Sequence, residues 1–312
     1  MSEGHEIVGP EVFKTYDDGY IVRAMTSSDA KIAQNWNTGM YTSSLYDLDV
    51  PLRVFPRGRE FYIGEYEGTV VASWVQIPWG NGVYYGSYYY VHEDYRGKGF
   101  GTRLRDQVAY GHLLEANGKL CIDSVEGPVA EKNVSKFGYV EAFVTRRLCG
   151  VAKDFGVKYN STIVEANSIP FDELISFDNK HFVSSDNPVR KKFLREWINI
   201  PDCAAFVALD GRGQIVGFGQ RRPAIQAKNH LIGPLYGVDT NTAMALLQRL
   251  CQDVTGEKIS LDIWMPNEEG VEAIESKGFQ KVFEFRRMYA NGNPQEYKPT
   301  VYALTNTDTC GF

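Results

Sequence analysis

The chain is acidic, with 312 residues, 33 lysines and arginines, 39 aspartates and glutamates, and a formal net charge of −6. This length predicts two domains, and the fractions of 43% hydrophobic and 23% charged residues are typical of a globular protein. The negative charge disfavours a nucleic-acid partner, and the apolar runs are too short to cross a membrane.

Five widely spaced cysteines without a C-x-x-C pair predict a reducing compartment and no metal site. The acidic N-terminus lacks the apolar segment of a secretory signal, so we expect a cytoplasmic protein.

The first half of the chain alternates between strand and helix patterns. Residues 40–58, punctuated by two prolines, read as irregular, and the glycine-rich run 92–101 reads as a turn. The predicted strands are 20–25, 60–65, 70–77, 83–91, 119–125 and 140–148, and the predicted helices are 26–36, 102–117 and 128–136. The helix over 102–117 is expected to connect two parallel neighbouring strands.

The pattern then repeats after a linker at 151–161, which gives two halves, 1–150 and 162–312. When Gly138-Tyr139 is aligned with Gly278-Phe279, 140 residues later, Thr102 falls on Thr242, so the long helices start together. The strands of the second half are predicted at 162–165, 204–209, 214–220, 230–236, 259–265 and 280–289, and its helices at 170–181, 187–198, 242–254 and 267–277.

The stretch Tyr88–Leu114 carries the clearest chemical signal. A tyrosine-rich strand ends at Val91, and the sequence R-x-x-G-x-G from Arg96 to Gly101 leads directly into a helix at Thr102. Glycines allow close approach of the backbone, and the first N–H groups of a helix attract anionic oxygens. The spacing fits neither a nucleotide P-loop nor a Rossmann fingerprint, but it predicts a site for a diphosphate.

The run from Val91 to Leu104, V-H-E-D-Y-R-G-K-G-F-G-T-R-L, resembles the acetyl-CoA motif of the GCN5-related N-acetyltransferases, the GNAT family. The whole chain resembles tandem GNAT proteins of the YitH type. The resemblance implies two tandem GNAT folds of class α+β, each a mixed, mostly antiparallel twisted sheet with flanking helices and a cleft between its splayed fourth and fifth strands. It also implies acetyl-CoA as co-substrate, bound by Tyr90, Val91, Arg96, Gly97, Lys98, Gly99, Phe100, Gly101 and Thr102.

The second half departs from this motif. Residues 236–241 lack the arginine and two of the glycines, and Asp239 adds a negative charge where a diphosphate would lie. We therefore expect a divergent GNAT-like half that does not bind CoA in the usual way. The tyrosine that often protonates the leaving thiolate in the family is replaced by Val134 and Ile274, which puts that role in doubt.

The resemblance implies acyl transfer from a thioester to an amine, which requires a route for the amine proton. Candidate bases are Asp123, Glu126 and His92. Candidate acceptor-binding residues are Trp36, Tyr41, Tyr46 and Asp47, although their aromatic rings fit packing equally well. The expected function is N-acetyl transfer to a small-molecule amine or amino acid. A longer-chain or glycine-type N-acyltransferase, a non-catalytic acyl-CoA sensor and a protein-lysine acetyltransferase remain alternatives.

Overall fold

A computed structural model describes residues 9–38, 43–55, 58–125, 127–159, 162–182, 188–292 and 298–309. In the described part of the chain, no helix combines the length and apolar character needed to cross a bilayer. The strands of the first half are β1 (Val12–Thr15), β2 (Tyr20–Ala24), β3 (Phe61–Tyr66), β4 (Thr69–Gly80), β5 (Val83–Val91), β6 (Lys119–Val125) and β7 (Val140–Val151). Its helices are α1 (Ser27–Thr38), α2 (Tyr46–Val54), α3 (π-helical over Thr102–Ala109 and α-helical over Tyr110–Glu115) and α4 (Pro128–Phe137).

The second half repeats this order. Its strands are β8 (Thr162–Glu165), β9 (Ala204–Leu209), β10 (Ile215–Pro223), β11 (Asn229–Gly237), β12 (Lys258–Trp264), β13 (Gln280–Ala290) and β14 (Val301–Ala303). Its helices are α5 (Phe171–His181), α6 (Pro188–Trp197), α7 (Thr240–Cys251) and α8 (Glu268–Ser276).

The described strands form one continuous sheet through both halves, in the order β1-β2-β3-β4-β5-β6-β13-β7-β12-β11-β10-β9-β8, with β14 paired to β11. The pairs β5–β6 and β11–β12 are parallel, while the other described pairs are antiparallel. Because α3 links β5 to its parallel neighbour β6, the predicted crossover is observed, and the predicted fold class is confirmed.

The two halves exchange their last long strands. β13 of the second half pairs with β6 of the first, and β7 of the first half pairs with β12 of the second. β7 and β13 also pair with each other at the centre of the sheet. Each half is therefore completed by a strand from the other, so neither sheet is whole when the chain is divided near residue 150.

Helices cover both faces of the first half of the sheet. One face packs against α3 and α4 through Leu104, Val108, Leu113 and Ala130. The opposite face packs against α1 and α2, and it also takes Phe193 and Trp197 from α6 of the second half. The ring of Trp79 on β4 lies 5.1 Å from that of Phe193. The second half thus supplies part of the hydrophobic core of the first.

Three local predictions differ from the structure. The region expected to be irregular contains α2, in which Leu48, Val50 and Leu52 are buried. The last described residues, to which no element was assigned, form β14 and a buried extension to Thr309. The GNAT resemblance also implies a backbone bulge near Tyr90 or Val91, whereas in the structure the bulge lies earlier, where β5 shifts register against β4 and Tyr88 adopts φ +50°. Burial against distant segments stabilises α2 and the β14 extension, and local composition does not report such burial.

Candidate active site

The cleft of the first half begins where β5 and β6 separate. Their parallel pairing runs from Val83 opposite Lys119 to Gly86 opposite Ile122, and it ends there. We call the Gly86–Ile122 pair the vertex of the cleft. Just beyond it, the backbone of β5 bulges at Tyr88, whose carbonyl accepts a hydrogen bond from Ser73 Oγ at 2.7 Å. The bulge turns the β5 backbone away from regular pairing just beyond the vertex.

The glycine-rich loop lies at the open end of this cleft. Arg96, Gly97, Lys98 and Gly99 are exposed, and both glycines have positive φ, +79° and +81°. This backbone conformation favours glycine and leaves the surface of the loop free of Cβ atoms. The loop ends at the start of α3, so the exposed cationic residues Arg96 and Lys98 come shortly before the positive end of the helix.

Packing against the protein core holds the glycine-rich loop in place. Phe100 is 2% exposed and stacks on Tyr20, with ring centres 4.4 Å apart, while the Tyr20 hydroxyl donates to the Phe100 carbonyl at 3.0 Å. A Cβ at Gly101 would lie 2.5 Å from the Tyr89 hydroxyl, so α3 can approach β5 this closely only with glycine there. Phe100 and Gly101, both predicted to bind the cofactor, therefore act in this structure by anchoring the loop to the core.

An aromatic stack borders the loop on the other face of β5. The ring of Trp36 on α1 stacks on Tyr90 at 4.7 Å, and the guanidinium of Arg96 lies 5.5 Å from the Tyr90 ring. Arg96 Nε also donates to the carbonyl of Val91 at 3.0 Å. His92 lies 6.2 Å from Trp36, measured between ring centres. The structure thus brings together Trp36, predicted to bind the acceptor, and His92, a predicted base. Both lie beside Tyr90 and Arg96, which are predicted to bind the cofactor.

Asp123, a predicted base, is held in a buried ion pair. Arg287 from β13 donates to both carboxylate oxygens at 2.7 Å, and the Tyr85 hydroxyl donates to one of them at 2.9 Å. The Asp123 side chain is 1% exposed and that of Arg287 is fully buried. Beside this carboxylate, the pKa of the Arg287 guanidinium is raised well above its usual value, although burial alone would lower it.

The second half contains the corresponding pair. Arg147 on β7 donates to both oxygens of Asp262 on β12, at 2.7 and 2.6 Å, and Thr307 Oγ1 donates to the same carboxylate at 3.0 Å. Each ion pair joins strands of different halves: the first pair joins β13 to β6, and the second joins β7 to β12. Because the same arrangement recurs in the half that lacks the glycine-rich loop, it indicates an architectural role for Asp123 and disfavours that residue as a base.

The predicted acceptor residues separate in the structure. Trp36 borders the cleft, whereas Asp47 is fully buried and accepts a hydrogen bond from Arg222 of the second half at 2.8 Å. Tyr46 begins α2 and lines an open groove between α2 and α6. Glu126 and Tyr41 lie outside the described residues.

The corresponding cleft of the second half is occupied by the chain itself. β11 and β12 pair only as far as Ile232 opposite Leu261, and β14 then pairs with β11 where the two strands separate. Asn267 Nδ2 donates to the carbonyl of Val301 at 2.9 Å and holds β14 in the gap. The side chain of Asp239 accepts from the Thr242 N–H at 2.7 Å, so a carboxylate already caps α7.

Sequence reasoning missed Ser87, which lies one residue beyond the vertex. Its Oγ is buried and has no hydrogen-bond partner among the described residues. Ser87 pairs with Val75, whose side chain is in the core under α1 and α2, so both side chains point to that face. Gly86, directly before Ser87 in the tyrosine-rich strand, was the available signal, because glycine inside a strand often marks a close approach.

The fold and the loop together define a tandem GNAT protein. A model of the acetyltransferase (GNAT) family matches residues 24–120, and a model of the acetyltransferase (GNAT) domain matches residues 175–303. The chain belongs to the GCN5-related N-acetyltransferases and is an acyltransferase enzyme.

Similar proteins extend over most of the chain. The holothin acyltransferase of Pseudoalteromonas sp. (strain SANK 73390) is 26% identical over 279 residues, which cover 89% of this chain and 88% of the relative. A putative acetyltransferase from Pyrococcus horikoshii superposes with a TM-score of 0.72 at 19% identity, covering 95% of this chain and 98% of that one. A tandem GNAT protein from the clavulanic acid biosynthesis pathway gives 0.64 at 13%, covering 89% of this chain and 100% of that one. At such identities the structural likeness shows the fold alone.

Proposed function

We propose that the protein is an N-acyltransferase that moves the acyl group of a coenzyme A thioester directly to the amine of a small molecule. The asymmetry between the halves carries this proposal. The first half combines an exposed glycine-rich loop at Gly97 and Gly99 with a cleft beyond the vertex, whereas β14 fills the cleft of the second. The relative named holothin acyltransferase supports a small-molecule acceptor. Acetyl is the acyl group that the family resemblance predicts, and the proposed reaction is the same for any acyl group.

In this mechanism the amine attacks the thioester carbonyl, a C–N bond forms, and the C–S bond breaks to release the thiolate. The bulge at Tyr88 supports a backbone N–H as donor to the oxyanion, because a bulged residue leaves the regular ladder. The Ser87 hydroxyl is buried and has no hydrogen-bond partner among the described residues, which supports a role as donor to the leaving thiolate. In many GNAT enzymes a tyrosine has that role, and this chain has Val134 at the corresponding position.

The amine proton needs a separate route. Both oxygens of Asp123 are engaged by Arg287, so that carboxylate is poorly suited to take a proton. His92 lies four residues beyond Tyr88, about 13 Å along an extended strand, too far for direct transfer at the bulge. We propose that water in the cleft accepts the proton and that His92 lies at its outer end.

The test measures binding and transfer together. Acyl-CoA is titrated calorimetrically into the protein, and release of free thiol is then followed with a panel of small amines. One saturable site per chain with amine-dependent thiol release is expected. Binding without transfer to any amine would favour the acyl-CoA sensor, and no binding at all would refute the proposal.

The role of Ser87 has its own test. Ser87→Ala is expected to lower kcat by about 10- to 100-fold and leave the affinity for acyl-CoA unchanged, because the hydroxyl acts only on the leaving group. Ser87→Thr, which keeps the hydroxyl, is expected to retain more activity. Equal losses in the two variants would contradict this role.

A further inference from the structure

A cavity of about 240 Å³ lies on the α3 and α4 face of the sheet, away from the glycine-rich loop. It extends between the middle of α3 and the junction of α4 with β7. It is lined by Trp74, Gln76, Arg105, Asp106, Tyr110, Leu120, Phe137 and Tyr139. Neither the sequence motifs nor the comparisons assign a ligand to it.

The cavity adjoins the vertex of the cleft. Gly86 is the last residue of β5 that pairs with β6, and a Cβ at that position would lie 2.6 Å from Trp74 Cη2 and 3.0 Å from Leu120 Cδ1. Two side chains of the cavity wall therefore contact the vertex directly. The ring of Trp74 therefore borders both the vertex and the cavity.

The polar groups in the wall already have partners. Trp74 Nε1 donates to Gln76 Oε1 at 3.1 Å, and Gln76 Nε2 donates to the Ala109 carbonyl at 3.0 Å. Arg105 is 9% exposed, and its Nε donates to Asp106 at 2.7 Å. Arg105 and Asp106 carry opposite charges and pair with each other, and the Gln76 amide is hydrogen-bonded. The rest of the lining is aromatic and aliphatic. Such a lining favours an apolar occupant.

Aromatic rings also hold the Arg105 guanidinium. Its central carbon lies 4.3 Å from the ring centre of Tyr89 and 4.2 Å from that of Phe137. This packing joins α3 to the end of α4 and keeps the wall in position without filling the cavity. The space is therefore bounded by fixed side chains.

We infer that this cavity receives the acyl group of the donor, and that this group is apolar and larger than acetyl, of hexanoyl or benzoyl size. An apolar cavity of about 150 Å³ takes a benzene molecule, so an acetyl group would leave most of this larger cavity empty. The inference rests on the proposed function. The acyl carbon exchanges its bond to sulfur for a bond to the amine nitrogen, and the amine loses a proton as CoA is released as the free thiol.

The experiment is a calorimetric titration of the intact protein with acetyl-, butyryl-, hexanoyl- and benzoyl-CoA. Each methylene transferred from water to an apolar site is worth about fourfold in affinity at most. We expect hexanoyl-CoA or benzoyl-CoA to bind at least about tenfold more tightly than acetyl-CoA. Equal or weaker binding of the larger donors overturns the inference and leaves the proposed function intact. Absence of binding by every donor overturns the proposed function as well.

Two variants change the size of the cavity in opposite directions. Leu120→Phe fills it and is expected to lower the affinity for hexanoyl-CoA more than the affinity for acetyl-CoA, which removes the gain for the larger donor. Tyr110→Ala enlarges it and is expected to shift the optimum to longer chains. Leu114→Phe, at a side chain that is 54% exposed, is the matched control and should change neither. An equal loss for both donors in Leu120→Phe would mean that the pantetheine arm occupies the cavity, which overturns the inference.

Discussion

Substitution of Gly99 by glutamate tests whether the loop binds the diphosphate. Gly99 has φ +81° and is exposed, and no atom of the described residues lies within 4 Å of a Cβ built on it. A non-glycine residue in this conformation costs about 1–2 kcal/mol of folding free energy. A control with the same backbone cost is therefore needed, and the chain provides one. Gly213, between β9 and β10, has φ +78° and equally open space around its Cβ.

Both Gly99→Glu and Gly213→Glu are expected to lower the free energy of unfolding by about 1–2 kcal/mol. They should differ in binding. A carboxylate about 4 Å from one phosphate charge costs about 1 kcal/mol in water and about 4 kcal/mol in the less polar surroundings of a protein surface. Summed over the phosphate charges, this predicts on the order of a 100-fold or larger rise in Kd for Gly99→Glu.

The assay is calorimetric titration of CoA into both variants and the wild type at two salt concentrations, with urea unfolding as the stability measure. The loss in Gly99→Glu should shrink at high salt, because the repulsion is screened. Wild-type affinity in Gly99→Glu, or an equal loss in Gly213→Glu, would refute the assignment of the diphosphate to this loop.

Three further outcomes follow from buried groups. Arg287→Ala leaves the Asp123 carboxylate buried without its partner, so urea unfolding should show a loss of about 3–5 kcal/mol. Burial raises the pKa of Glu60 from 4.5 to about 7, because the folded state favours the neutral carboxyl. The contribution of this carboxyl to the free energy of unfolding is therefore complete below pH 4.5 and is lost as the pH rises through 7. The unfolding free energy of Glu60→Gln relative to wild type should therefore rise by about 1–2 kcal/mol between pH 4.5 and 8, after discounting for partial exposure. Asn267→Ala removes a helix cap and a hydrogen bond to Val301, so urea unfolding should show a loss of about 1–3 kcal/mol, while calorimetry should still find one CoA site per chain.

Each of these has a result that contradicts it. Arg147→Ala, in the corresponding pair, should cost about as much stability as Arg287→Ala, and a much smaller effect of either would argue against reciprocal architectural roles. A Glu60→Gln variant whose stability relative to wild type is independent of pH would rule out a raised pKa for that carboxyl. A second CoA site in Asn267→Ala would mean that β14 had been blocking a functional cleft.

The glycine-rich loop was predictable because its signal is local. The signal consists of the strand ending at Val91, the positive-φ glycines at 97 and 99, and the helix starting near Thr102. These features are close together in the sequence, and backbone geometry dictates their residue types. The roles given to Asp123 and Asp47 rested on position within the fold family. In the structure their carboxylates pair with Arg287 and Arg222, which are 164 and 175 residues away along the chain. No local pattern reports such partners.

The sequence alone determined the duplicated order of strands and helices, the family, and the loss of the loop from the second half. These features depend on periodicity, spacing and residue type along the chain. Only the tertiary structure decided which strand completes which half, that β14 fills the second cleft, and that a cavity lies under Trp74. Those outcomes depend on competition among long-range strand pairings, which local patterns do not rank. In the structure β13 of the second half pairs with β6, and β7 pairs with β13 and β12. The shared sheet, settled by that competition, leaves one open cleft in the described part of the chain.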